Sequence, residues 1–201
     1  MASLFEKLRT GVQDAGYKLR SQNARKWFFE KIKELNGRIN RNALMKDEAL
    51  KLRSKPIWGH MFMFVYDPKH KETLPYYDKF PLVIALQKAE GGFLGLNLHY
   101  LRPEIRAKFL DKLVGTMSDK KLDERSKLRL TYKLLSSVRR FREFQPCLKH
   151  YLSDHIKSRV AQVYAPDWEI AIFLPVEQFA KANKTTVWRE SQSAYKSTNR
   201  T

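Results

Sequence analysis

Residues 59–101 read GHMFMFVYDPKHKETLPYYDKFPLVIALQKAEGGFLGLNLHYL, and this stretch decides the fold. Its apolar and aromatic residues cluster in three runs, at residues 60–66, 80–86 and 93–98, with turn-forming residues between them. Short turns between strands are typical of an antiparallel meander. Pro81, near the start of the second run, indicates a sheet edge or a bulge.

Amphipathic helical patterns flank this stretch on both sides. Residues 168–174, WEIAIFL, are apolar on both faces and predict a fourth, interior strand. The sequence therefore predicts an α+β fold, with a small antiparallel sheet of about four strands, which could curl into a barrel, flanked by amphipathic basic helices. The predicted helices lie at residues 3–20, around 27–36, at 43–52, 102–115, 122–144 and 148–163, and from 175 onward.

Composition divides the chain into three predicted parts. Residues 1–55 form a basic helical N-terminal arm, and residues 56–180 form the α+β core domain, whose basic helices lie within residues 103–163. Residues 181–201 form a polar C-terminal tail, which we expect to be flexible unless a partner holds it.

Positive charge is the strongest global feature of the sequence. The formal net charge is +18, and its distribution is uneven. Residues 1–55 hold 14 Lys and Arg against 6 Asp and Glu, and residues 102–160 hold 16 against 7. Residues 56–101, which contain the predicted meander, hold 4 of each. Such a field attracts a polyanion, above all nucleic acid; the alternative is an acidic protein neighbour.

Helical spacing identifies the candidate phosphate-binding residues. In the predicted helix at 122–144, basic residues recur at intervals of three and four with few acidic partners four positions away. The N-terminal helices repeat this imbalance. An ordinary solvated helix face is the alternative interpretation. The predicted double-stranded DNA contacts, made to phosphates without sequence specificity, are Arg25, Lys26, Lys33, Arg125, Arg129, Lys133, Arg139 and Arg140.

Aromatic residues of the central stretch are a second candidate set. They could stack on bases, but their neutral surroundings suit a single-strand groove poorly. Core packing or docking of another protein is the favoured interpretation. The set comprises Tyr66, Tyr76, Tyr77, Phe80 and Phe93.

Signals for catalysis are weak, and we predict no enzyme activity, no metal site and no cofactor. The five histidines are scattered, and the single cysteine, Cys147, excludes an intramolecular disulfide. We expect Cys147 to be structural and His99 to be packed or hydrogen-bonded. Asp67 and Asp78 are better explained as turn-forming residues than as metal ligands. No apolar run approaches the roughly 20 residues that a membrane span needs.

Three segments resemble a known family: YDPKHKETLPYYDKFPLV at 66–83, GGFLGLNLHYL at 91–101 and PDWEIAIFLPVEQF at 166–179. They are similar to small basic virion proteins of large contractile-tailed bacteriophages (myoviruses), in the DNA end-protector or head-completion group. The resemblance implies a structural protein of the virion, present in the host cytoplasm during assembly. It would sit at the head–tail connection, bind or protect the end of packaged double-stranded DNA, and contact portal, neck or tail proteins in a multi-subunit assembly.

Two alternatives stay open at this point. The chain could be a tail or baseplate component whose basic flanks contact only protein. It could also be a metal-dependent nuclease that acts on the DNA end, which the weak carboxylate pattern disfavours.

Overall fold

Eight short strands build the sheets of the computed structural model, which describes residues 2–118, 133, 137 and 142–196. Six of them form one antiparallel sheet in the order β1-β7-β2-β4-β5-β6, and β3 pairs with β8 in a separate two-stranded sheet. The strands are β1 (Leu50–Arg53), β2 (Met61–Met63), β3 (Tyr77–Asp78), β4 (Leu82–Ala89), β5 (Gly92–Asn97), β6 (Leu148–Leu152), β7 (Val160–Val163) and β8 (Phe179–Ala180).

The described residues also form six α-helices. They are α1 (Leu4–Asp14), α2 (Gln22–Leu35), α3 (Arg41–Leu44), α4 (Pro103–Ser118), α5 (Trp168–Phe173) and α6 (Lys184–Lys196). The first begins as predicted, because the Ser3 hydroxyl accepts a hydrogen bond from the Glu6 amide at 3.0 Å. The predicted α+β class is confirmed, with six strands in the main sheet rather than about four.

The predicted meander is confirmed, because β2, β4 and β5 are antiparallel neighbours. Gly91, at φ +66°, forms the tight turn between β4 and β5. Pro81 directly precedes β4, which is an interior strand, so the edge placement is wrong. A bulge does occur, but it lies farther along, between Ala85 and Gln87. The sheet ends at β1 and β6, and in the described part of the chain it does not close into a barrel.

Strand alternation gives the main sheet two apolar faces. One face carries Met61, Met63 and Ile84 and packs into the main core together with buried residues of α1, α2, α4 and α5. The opposite face carries Phe62 and Phe64, which belong to a separate, smaller aromatic cluster. Among the described residues, the six α-helices therefore lie on one face of the sheet and a buried aromatic cluster lies on the other.

The segment WEIAIF is the helix α5, so the predicted fourth strand at 168–174 is wrong. All six residues of α5 are buried, including Glu169. A helix that is apolar all round looks the same in sequence as an interior strand, and the segment is too short for periodicity to separate the two.

The predicted helix at 148–163 is also wrong, because the segment forms β6 and β7 with a 3-10 turn, Ser153–His155, between them. Residues four apart, such as Leu148 and Leu152, share a face in a strand as well as in a helix, so their spacing fits both structures. Pairing of β6 with β5 and of β7 with β1 and β2 decides between them.

Two further predicted helices have different boundaries. The predicted helix at 43–52 is instead the single turn α3 followed by the edge strand β1. The chain after Pro175 forms β8, and the last helix, α6, begins only at Lys184, where the Asn183 side chain accepts from the Thr186 amide at 2.8 Å. A helix therefore occupies much of the region predicted to be a polar tail.

The N-terminal helices share the core of the sheet. Phe5 and Val12 of α1 and Phe28 of α2 are buried in the same apolar cluster as the sheet residues. Phe28 stacks on Phe173 of α5, with ring centroids 5.4 Å apart and planes 8° from parallel. The division of the chain into arm, core domain and tail stays a prediction.

Candidate nucleic-acid interface

Helix α2 presents two of the predicted phosphate contacts to solvent. Ala24 and Phe28 face the core, and the Ser21 hydroxyl caps the helix by accepting from the Ala24 amide at 3.1 Å. Lys26 and Lys33 are exposed. Because they are seven residues, nearly two full turns, apart, their side chains leave the helix on the same face.

Arg25 has a different environment from its neighbour Lys26. Its guanidinium forms ion pairs with Asp111 of α4 and, at 3.8 Å, with Glu169 of α5. Only 21% of the Arg25 side chain is exposed. Burial raises the pKa of Glu169, although the Arg20 amide donates to its carboxylate at 2.6 Å and Arg25 lies beside it. The half-buried Arg25 thus links three helices.

The predicted basic helix at 122–144 lies almost entirely outside the described residues. Arg125, Arg129, Arg139 and Arg140 are outside them, and their role stays a prediction. Lys133 is described, and it is an exposed helical residue.

The predicted aromatic set is divided among several environments. Tyr66 and Phe93 belong to the aromatic cluster on the face of the sheet opposite the main core, where the Tyr66 and Tyr151 ring centroids lie 4.9 Å apart. The Tyr66 hydroxyl accepts from the Leu152 amide at 3.2 Å, and burial raises the pKa of Tyr66. Packing inside the protein accounts for both residues.

The other three aromatic residues of the set do not join this cluster. Tyr76 packs near Tyr100 and Phe179 at the small sheet. Tyr77 lies in β3, and Phe80 is fully buried in the main core. The five residues do not form one surface, and a docking role for them stays a prediction.

A buried polar network lies where β5 meets α4. Asp78 accepts from the Phe80 amide at 3.0 Å and from the Asn97 side chain at 3.1 Å, so it forms a turn as predicted. Asp78 also contacts His99, whose Nδ1 lies 2.7 Å from an Asp78 oxygen. His99 is fully buried and hydrogen-bonded, as expected.

Arg106 extends this network, and the sequence analysis missed it. The side chain is fully buried, donates to the backbone carbonyls of Leu101 and Ile172 at 2.8 and 3.0 Å, and pairs with Glu177 at 2.6 Å. Its burial could have been predicted from the sequence. Arg106 lies three residues before the buried Phe109, and this spacing places it on the apolar face of α4.

A groove around Trp58 is the second feature that sequence reasoning missed. It has a volume of about 630 Å³ and lies between residues 54–58, the turn between β4 and β5, and residues 153–158. Trp58 is 46% exposed, and its ring packs against the buried Phe93, with ring centroids 6.4 Å apart. Lys55 and Lys88 also line the groove, and both are exposed. The sequence feature that could have indicated this groove is a tryptophan in a polar segment, close to Pro56.

The described residues include the single cysteine and all five histidines of the chain. They contain no group of three or more His, Cys, Asp or Glu side chains able to hold a metal ion. Cys147 is buried, and burial raises the pKa of its thiol to about 12, which keeps the sulfur protonated and unreactive at neutral pH. No helix in the described ranges is long and apolar enough to cross a membrane.

Comparison with known proteins identifies a family. The model of the family described as phage T4 terminal DNA protecting protein matches residues 1–193. The matched region includes α2, the buried network and the Trp58 groove. No curated protein and no solved structure matches the chain.

Proposed function

The chain belongs to the phage T4 terminal DNA protecting protein family, and we propose that it binds the end of packaged double-stranded DNA without sequence specificity and shields that end. Membership of this family makes DNA the expected partner, and it implies a location in the virion or the infected cell. The family match over residues 1–193 is the observation that carries the proposal.

Charge supports a phosphate-binding mechanism. A net charge of +18 attracts the DNA backbone, and α2 presents Lys26 and Lys33 on one exposed face. Contacts of this kind position a protein on DNA and do not read sequence. We assign the remaining contacts to the basic residues of 125–140, including the exposed Lys133.

We assign the protein a structural role. Covering the end excludes an exonuclease from the terminal nucleotides, and this requires neither a nucleophile nor a metal. Within the particle we place the protein at the head–tail connection, beside portal, neck or tail proteins in a multi-subunit assembly, after passage through the host cytoplasm.

Salt dependence tests the phosphate-binding mechanism. Binding of the purified protein to a blunt duplex, followed by fluorescence anisotropy from 50 to 200 mM salt, should weaken by roughly 10³- to 10⁵-fold if about six to ten phosphates are contacted. Absence of binding even at the lowest salt would contradict the proposal and favour a tail component that contacts only protein.

Charge-neutralising variants test the assigned faces. Changing Lys26, Lys33 and Lys133 to Gln should lower the steepness of log Kd against log salt by about 0.9 for each contact removed. The matched control changes three other exposed lysines, Lys7, Lys18 and Lys46, to Gln. Equal effects of the two triple variants would show that binding depends on total charge and not on these faces.

A further inference from the structure

Trp58 is the most exposed of the large hydrophobic side chains in the described part of the chain, at 46%. By contrast, Trp168 is 2% exposed and its indole Nε1 donates to the Val163 carbonyl at 2.9 Å. Packing against Phe93, with the ring planes 47° apart, supports the Trp58 ring from one side. The indole is therefore backed by the protein on one side and open to solvent on another, as a stacking platform requires.

The surroundings of Trp58 suit an anion. Among the described residues that line the groove, Lys55 and Lys88 are the charged ones, and none is Asp or Glu. Exposed serine side chains, Ser54 and Ser153, add hydroxyl donors. The groove thus combines an aromatic ring with cationic and hydroxyl groups, the combination that binds a nucleobase together with its phosphates.

A DNA end has one feature that the interior of a duplex lacks, which is a base pair with an exposed face. Phosphate contacts are the same at the end and in the interior, so a basic helix alone cannot distinguish them. An exposed indole can, because stacking requires a free π-face and every base provides one. Stacking on the terminal base pair is therefore selective for ends and indifferent to sequence.

We propose that the Trp58 groove is the end-recognition site, in which Trp58 stacks on the terminal base pair of the duplex and Lys55 and Lys88 bind the adjacent phosphates. This inference rests on the proposed function. Two surfaces then have separate roles in DNA binding. The basic helices supply affinity for any duplex, and the groove supplies preference for its end.

Two DNA molecules of equal length and sequence test this division. One is a blunt-ended duplex, and the other has both ends closed by hairpin loops that cover the terminal base pairs. The wild-type protein should bind the blunt duplex more tightly. Trp58→Ala should weaken binding to the blunt duplex by roughly tenfold to a hundredfold, the range expected for loss of one stacked base, and leave binding to the closed duplex within about twofold. Trp58→Phe should retain most of the preference.

Tyr164→Ala is the matched control, because Tyr164 is another exposed aromatic residue, at 43%, outside the groove. It should keep the full preference for the blunt duplex. Tm measurements on each variant confirm that the fold is retained. A change in tryptophan fluorescence on adding the blunt duplex should be present in the wild type and lost in Trp58→Phe.

The outcomes distinguish the proposed DNA-end binding from the role assigned to Trp58. If the wild type binds neither DNA, the proposed function fails. If the wild type prefers the blunt duplex and Trp58→Ala retains that preference, the function stands and the assignment of Trp58 is overturned. The groove would then be a contact surface for a protein neighbour.

Discussion

Glu177 and Arg106 form a deeply buried ion pair, with side chains 3% and 0% exposed. Burial alone would raise the pKa of Glu177, but the positive charge of Arg106 and its other surroundings hold the value at about 2. The pair ties α4 to the segment after α5, which contains Glu177, and Arg106 also donates to the Ile172 carbonyl of α5 itself.

This pKa predicts how stability depends on pH. A carboxylate whose pKa falls from 4.5 in the unfolded chain to about 2 in the folded protein adds about 3 kcal/mol of stability above pH 4.5. That stability is lost as the pH falls from 4.5 towards 2. Glu177→Gln should therefore be less stable than the wild type at pH 6, and the gap should shrink by about 3 kcal/mol by pH 2.

Urea unfolding at pH 6, 4, 3 and 2 measures this gap. Glu104→Gln is the matched control, since Glu104 lies on the exposed side of α4 and should change stability by less than about 0.5 kcal/mol. A gap between wild type and Glu177→Gln that is constant with pH would refute the coupling of Glu177 to Arg106.

At the scale of elements, the contact between α2 and α5 anchors the N-terminal helices. Phe28 is 2% exposed and stacks on Phe173. Phe28→Ala should cost about 3–5 kcal/mol, because it leaves a cavity in the main core. Tyr17→Ala is the control, at an exposed position between α1 and α2. If urea unfolding gave both variants the same stability, the N-terminal helices would not be part of the folded core.

Periodicity predicted those elements whose pattern fits only one structure. The apolar run that contains β2, the turn before β5 and the helix beginning near residue 102 could be read directly. Where a pattern fits two structures, long-range contacts decide. Helix α5 is apolar all round because the sheet, α2 and α4 surround it, and that environment cannot be deduced from six residues.

The candidate site was predictable to a similar extent. Helical spacing identified Lys26 and Lys33, which are exposed. The same spacing gave no sign that Arg25 pairs with Asp111 and Glu169, because these partners lie far along the chain and meet it only in the folded protein. Trp58 was missed for a different reason. A single exposed aromatic residue produces no periodic pattern in the sequence.

At the scale of the whole molecule, the net positive charge and the central strands of the sheet lie in different segments of the chain. Residues 56–101 carry no net charge and supply the centre of the sheet, whereas most of the positive charge lies in residues 1–55 and 102–160. Part of that charge is used internally, as in the ion pair of Arg9 with Asp167. The rest is available to attract a polyanion, and the neutral sheet supports the groove in which we place its end.

Protection of a linear duplex from a double-strand exonuclease tests the central claim most directly. With protein at saturating concentration and moderate salt, a blunt duplex should resist digestion from its ends. When the same DNA is cut internally after unbound protein has been removed, it should be digested from the new ends. Incubation with the protein and Mg²⁺ alone should leave the DNA intact. Digestion at the unprotected rate while the protein is bound, or cleavage by the protein itself, would contradict the account.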